Sequence, residues 1–208
     1  MKIVVLGATG GTGLEIVRQA IDRGHSVTAF VRSPDRLASL RDQIQIRQGN
    51  LLNRSELEQV IRGHDAVLSA FGPRIPIAKA EKHLLQEFAA ALAPAMSSAG
   101  VKRVLLESVA FLFKDAVIPP VYFLGKLLFP AVIADATAME EIFRHSDLEW
   151  TLIRPPELTN SRPTGKYRVR EDHLPRFGFS IPRADVAHCF LSILERGEFM
   201  RKIVGVAA

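Results

Sequence analysis

Apolar and polar positions alternate along this chain in two rhythms that take turns. Lys2–Leu6 is a short β-branched run. Over Leu14–Arg23 the apolar residues Leu14, Ile16, Val17, Ala20 and Ile21 fall at helical spacing, and Gly24 follows where a left-handed glycine would close a helix. Val27–Val31 and Ile44–Arg47 read as strands, Ser55–Arg62 as a helix with Ser55 as its N-cap, and Ala66–Ala70 as a buried strand. Helix formers run from Ala78 to Ser98, bent by Pro94 and ended by Gly100. Val104–Leu106, Thr137–His145 and Trp150–Ile153 continue as strand, helix and strand. Strands separated by helices of this length predict right-handed βαβ crossovers and a parallel sheet, a Rossmann-like doubly wound α/β fold.

The rhythm breaks at Arg154. Pro155, Pro156, Pro163, Pro175 and Pro182 divide the next stretch into short segments, before a helix over Ala184–Glu195 and a last strand over Lys202–Val206. With 208 residues and no repeat or linker, one domain is expected, in which residues 154–182 supply substrate-side loops. Ligands of open α/β sheets bind beyond the carboxyl ends of the strands. The chemistry is therefore expected on the loops after Leu6, Val31, Ala70, Leu106 and Ile153.

The first of those loops reads Gly7-Ala8-Thr9-Gly10-Gly11-Thr12-Gly13, with a strand before it and a helix after it. Glycines at this spacing permit a tight turn and let backbone N–H groups meet a pyrophosphate at the helix N-terminus. About 20 residues on, an NAD enzyme places a carboxylate on the ribose 2′-hydroxyl. Here the second strand ends Phe30-Val31-Arg32-Ser33, and a guanidinium with a hydroxyl suits a 2′-phosphate instead. Asp35 is read as capping the turn that follows. The expected cofactor is NADP(H).

Composition narrows the partners. Hydrophobic residues make up 48% and charged residues 24%, enough for a real core. The net charge of +5 is scattered, without a basic block or interleaved aromatics, so nucleic acid is not expected. The most apolar stretch, Ala116–Ala134, is cut by Pro119, Pro120, Lys126 and Pro130, so no membrane span is expected. The start of the chain lacks the long apolar region of a signal peptide, and a single cysteine excludes an intramolecular disulfide, which together predict a cytoplasmic protein. The six histidines show no metal-ligand spacing, and no metal is expected.

The sequence resembles the atypical short-chain dehydrogenase/reductases, above all NmrA-like proteins and biliverdin-IXβ (flavin) reductase. The likeness covers nearly the whole chain. It is carried by the glycine loop, Val31-Arg32, Gly49-Asn50, Gly63-His64-Asp65-Ala66-Val67, Ser108-Val109-Ala110-Phe111-Leu112, Arg154-Pro155-Pro156, Thr164-Gly165-Lys166-Tyr167 and Pro182-Arg183-Ala184-Asp185-Val186. The resemblance implies that Gly7, Thr9, Gly10, Gly11, Thr12 and Gly13 surround the pyrophosphate, and that Arg32 and Ser33 meet the 2′-phosphate. It places Asn50 and Leu51 by the adenine, and the backbone of Ala70, Phe71 and Gly72 along the adenosine and nicotinamide side. Ser108 would stand beside the nicotinamide, with Pro155 and Pro156 flanking its carboxamide. Val109 and Glu157 depart from biliverdin-IXβ reductase, which has a serine and a histidine at these points.

Catalytic candidates are few. Tyr122 and Lys126 have the Tyr-x-x-x-Lys spacing of short-chain dehydrogenases, in which the lysine lowers the tyrosine pKa for proton donation. The prolines and apolar residues around them equally describe a hydrophobic lid over Lys114–Pro130. Ser108, closing the fifth strand, is placed to hydrogen-bond the carboxamide or an acceptor oxygen; as a turn cap it would do neither. Glu157 reads as a general acid or as a loop carboxylate paired with Arg154, and His173 as a solvent-facing residue. The expected function is NADPH-dependent hydride transfer to a planar conjugated small-molecule acceptor, by a monomer or homodimer. The alternative is an NADP-binding redox-sensing regulator without catalysis.

Overall fold

The computed structural model describes residues 1–72, 83–113 and 130–208, with only the backbone of Phe111. The strands are β1 (Lys2–Leu6), β2 (Ser26–Val31), β3 (Gln45–Gln48), β4 (Ala66–Ser69), β5 (Arg103–Glu107), β6 (Glu149–Arg154), β7 (Glu157–Thr159), β8 (Arg168–Glu171), β9 (Ser180–Pro182) and β10 (Lys202–Ala207). The helices are α1 (Gly11–Asp22), α2 (Arg54–Ile61), α3 (Leu84–Ala99), α4 (Pro130–Arg144) and α5 (Arg183–Arg196). One eight-stranded sheet runs in the order β3-β2-β1-β4-β5-β6-β10-β8, and β7 pairs with β9 beside it. This is a Rossmann-like doubly wound fold. It departs from an all-parallel sheet only at β8, which runs antiparallel to β10 on the edge.

Helices cover both faces, so the middle strands lose their alternation and become continuously apolar. Ile3, Val4, Val5 and Leu6 are all fully buried. Ile3 and Val5 face the α1 and α5 layer together with Leu105 and Ile153, while Val4 and Leu6 face α2, α3 and α4 together with Leu106 and Leu152.

Several helix ends differ from expectation. Asn53, not Ser55, caps α2, its Oδ1 accepting the amides of Ser55 and Glu56 at 3.0 and 3.3 Å. Both residue types are good caps, and only the backbone geometry decides between them. Pro130, read as a terminator, is instead the first residue of α4, where its missing N–H costs nothing. Helix α3 runs through Pro94 and closes on Gly100 in the left-handed conformation. Its first turn is capped from outside, because Asp135 of α4 accepts the amides of Leu85 and Gln86 at 2.9 and 2.9 Å.

Candidate functional site

The glycine loop is built by close approach of backbone. Gly7 has φ +74°, and a Cβ there would stand 2.6 Å from the Ala70 carbonyl oxygen after β4. A Cβ on Gly13 would collide with the Gly7 carbonyl, which accepts the Gly10 amide at 2.8 Å. Helix α1 then starts with no side-chain cap and no acid in its first turn. Its uncompensated amides and the positive end of its dipole are thereby offered to an anion. A hollow of about 200 Å³ opens beside Gly11, lined among others by Asn160 and Arg183.

At the adenosine end, Arg32 and Ser33 are exposed at the tip of β2. The Arg32 carbonyl accepts from Gln48 Nε2 at 3.1 Å, tying the β2 and β3 loops together. The sequence reading passed over Arg36, whose guanidinium donates to the Thr9 carbonyl at 2.7 Å and so lies on the rim of the glycine loop. Its spacing, one helical turn beyond Arg32, was the available signal. Asp35 does not cap this turn: it lies inside the 3₁₀ segment Asp35–Leu40, which has Pro34 as its cap and no side-chain cap bond. Asn50 Oδ1 accepts the Leu52 amide at 3.0 Å, so an adenine amino group would have to share that oxygen. Leu51 is buried. Phe71, next to the Gly7 contact, packs its ring on Phe88 with centroids 4.8 Å apart, and Gly72 is exposed.

Two carboxylates flank the end of β5, one on each face of the sheet. On the α4 face, Ser108 Oγ donates to Glu140 Oε1 at 2.7 Å. Arg154 Nε donates to the same oxygen at 2.9 Å, its terminal nitrogen pairs with Oε2, and Arg144 reaches Oε2 at 3.4 Å. The Arg154 guanidinium also lies 4.5 Å above the Phe113 ring centre. Ser108, Glu140 and Arg154 are all buried. The hydroxyl proton of Ser108 is thus committed inward. Toward a ligand the residue keeps lone pairs, which accept an amide N–H but do not polarise a carbonyl. Arg154 therefore pairs with Glu140 and not with Glu157, which is exposed and donates its amide to Phe179 O at 3.3 Å. Pro155 is buried, its carbonyl accepting the Ala110 amide at 3.2 Å, while Pro156 is half-buried. Tyr122, Lys126 and the lid segment before Pro130 lie outside the described residues.

On the α1 face stands Glu107. Burial pushes its carboxyl up to about 7, although the Thr12 hydroxyl and the Arg183 guanidinium near it pull the other way. Its Oε2 is buried without a hydrogen-bond partner among the described residues. The Arg183 chain passes so close over Gly11 that a Cβ there would stand 2.5 Å from Cδ, and the guanidinium donates to Leu158 O and Asn160 Oδ1 at 3.0 and 2.9 Å.

Other motif residues prove architectural. Asp185 is buried and accepts from Thr164 Oγ1 at 2.6 Å and from the Gly165 amide at 3.0 Å, which joins two of the segments that carry the resemblance. His173 is exposed.

With this geometry established, comparison with known proteins places the chain. The profile of the NAD(P)H-binding family matches residues 7–196. The chain belongs to that family. The NAD(P)-binding character read from the motifs is upheld, and the fold is that of NAD(P)-binding, oxidoreductase-type proteins. The chain is 34% identical over 110 residues to the photosystem II assembly factor Ycf39 of Synechocystis, a match covering 52% of this chain and 34% of that protein. The matched region is thus about a third of that relative's length. Among solved structures, a wide-type short-chain dehydrogenase/reductase from Veillonella parvula in complex with NADP superposes with TM-score 0.80 at 18% identity, covering 100% of this chain and 94% of that one. ChuY, an anaerobillin reductase from Escherichia coli O157:H7, superposes with TM-score 0.81 at 20% identity, covering 100% and 97%. At these identities the two structures share the fold. Among the described residues, no helix is long and apolar enough to cross a membrane.

Proposed function

We propose that the protein is an NADPH-dependent reductase that passes hydride to a planar conjugated acceptor such as a flavin, a quinone or a tetrapyrrole. The observation that carries this reading is the inward commitment of the Ser108 proton to Glu140. A saturated carbonyl would need a proton donor at that point. A conjugated ring spreads the charge it receives and takes its proton from water, so the hydride of the nicotinamide suffices. When bound, NADPH supplies that hydride. The protein's share is to hold the pyrophosphate on the α1 amides, to answer the 2′-phosphate with Arg32, Ser33 and Arg36, and to hold the nicotinamide carboxamide between Ser108 and the Pro155-Pro156 turn.

Phe177 and Phe179, exposed by 84% and 65%, support a flat acceptor. The second of them adjoins Glu157, directly after that turn. Arg32 at the β2 tip and Arg36 one turn further on, with no acid at positions 32 and 33, support NADPH over NADH.

Stopped-flow oxidation of NADPH against FMN, quinones and biliverdin isomers tests the reading. Acceptor-dependent oxidation is expected with FMN or a quinone, and slower oxidation with biliverdin because Val109 and Glu157 depart from the biliverdin reductase pattern. Tight NADPH binding with no oxidation above buffer for any acceptor would replace the reductase with the second reading, a redox-sensing regulator. That reading draws on the same inward-turned Ser108 and on the match to a protein named an assembly factor.

A further inference from the structure

We infer that Glu107 belongs to the cofactor-binding machinery as a neutral carboxylic acid, and that seating the cofactor's pyrophosphate on the glycine loop takes up one proton there. This rests on the reading that the loop holds an NAD(P) pyrophosphate.

Glu107 closes β5 on the face turned toward α1, and its carboxyl lies near the hydroxyl of Thr12, in the first turn of the helix whose amides receive the pyrophosphate. Of the groups facing it among the described residues, α1 contributes the uncharged Thr12 and α5 the single cation Arg183. Its neighbours Ser108 and Arg154 are spent on Glu140 across the sheet. Arg183 is itself shared, since it lies on Gly11 and donates to Leu158 O and Asn160 Oδ1.

An ionised Glu107 would set a negative charge just behind the helix end that must attract a dianion, and would divide the field of Arg183 between the two. Charges this close interact strongly in a poorly solvated site. Oε2 is buried without a hydrogen-bond partner among the described residues, whereas a site holding an anion calls for donors on both oxygens. The acid form needs less. It removes the repulsion and leaves Arg183 to the ligand. The free protein already holds this carboxyl at the balance point, about 7, and a nearby pyrophosphate raises it further. The proton comes from solvent, and nothing is oxidised or reduced.

The ligand favours the protonated form, so affinity is greatest below the free-protein value and falls as pH rises above it. Isothermal titration with ADP-ribose isolates the effect, because that probe lacks the 2′-phosphate and its own titration near pH 6. Measured from pH 6 to 8.5 in buffers of different ionisation enthalpy, the wild type is expected to take up close to one proton above pH 7, with Kd rising toward tenfold per pH unit. Glu107→Gln should bind with a flat pH profile and no proton uptake. Thr12→Ala, which takes away the nearby hydroxyl that lowers the carboxyl, should move the onset of weakening to higher pH, and it serves where Glu107→Gln does not fold. A pH-independent Kd in the wild type, or an unchanged slope in Glu107→Gln, overturns the proposal while leaving the cofactor site standing. Absence of ADP-ribose binding at every pH overturns the site reading beneath it.

Discussion

Glu107 and Glu140 lie within a few residues of Ser108 in space, on opposite faces of the same strand end, and they have been given opposite surroundings. Glu140 receives Ser108, both ends of Arg154 and the more distant Arg144. Glu107 has only the Thr12 hydroxyl and the shared Arg183 cation near it, and its Oε2 has no hydrogen-bond partner among the described residues. Glu140 is buried and Glu107 half-buried. What separates a structural carboxylate from a titrating one here is the number of donors aimed at it. The fully partnered site is a fixed joint between β5, α4 and β6, and the under-partnered one can change charge near neutrality.

The hardest way to break the comparison is to remove Glu140. Glu140→Ala leaves Arg154 buried and uncompensated and is expected to cost about 3–5 kcal/mol in chemical denaturation. Replacing the pair together, as Glu140→Leu with Arg154→Met, should recover most of that loss. If the double variant is no better than the single, the cost lies in lost packing and not in the stranded charge.

Glu107→Gln is expected to act in the other direction. A carboxyl raised from its ordinary 4.5 to about 7 binds more protons folded than unfolded between those values, so it lowers stability as pH rises through that window. The amide escapes this. It should raise stability by about 1–3 kcal/mol at pH 8 and bring almost no gain below pH 4.5. An equal gain at both ends would mean that charge is not the cause.

Ser108→Ala removes one of the donors to Glu140 and should cost about 1.5–3 kcal/mol of stability, the range for a bond to a charged group. NADPH affinity should stay nearly unchanged and turnover fall modestly. A loss of turnover beyond a hundredfold would show that Ser108 handles a proton after all.

The smallest effect compares the two arginines at the 2′-phosphate end. Arg32→Ala should weaken NADPH far more than NADH, by on the order of tenfold, as expected for one charged hydrogen bond. Arg36→Ala should weaken both cofactors, because its guanidinium also steadies the glycine loop through Thr9. Equal titration curves for NADPH and NADH in the wild type would remove the basis for both expectations.

Much of this was legible in the residues. The runs Lys2–Leu6 and Val27–Val31 could only be buried strands, and the glycines between them could only be a close backbone turn, because periodicity and conformational freedom are local properties. Strand β8 escaped notice because Arg168-Val169-Arg170-Glu171 has one apolar residue and pairs on an edge. Glu140 was a different miss. It lies on the same helical stripe as Ala136, Met139 and Phe143, all buried, and that spacing marked it as an inward carboxylate. Its partners Ser108 and Arg154 are 32 and 14 residues away, and no local pattern announces them. Glu107 went unremarked between the strand Val104–Leu106 and Ser108, since only the packing of α1 and α5 against it reveals how far its carboxyl is withdrawn from water. The same distance in sequence hid Asp185, whose ligands lie 20 and 21 residues before it.

The cap that Asp135 places on α3 makes two helices mechanically one. The amides of Leu85 and Gln86 have their acceptors 50 and 49 residues away, on α4. Hydrogen exchange at those amides therefore measures the docking of α4 and not the fraying of α3 alone. The start of α3 and the middle of α4 should open and close together, as one cooperative unit with one opening free energy. A disturbance anywhere along α4, including at Glu140, would be felt as faster exchange at the start of α3, before the central sheet registers any loss.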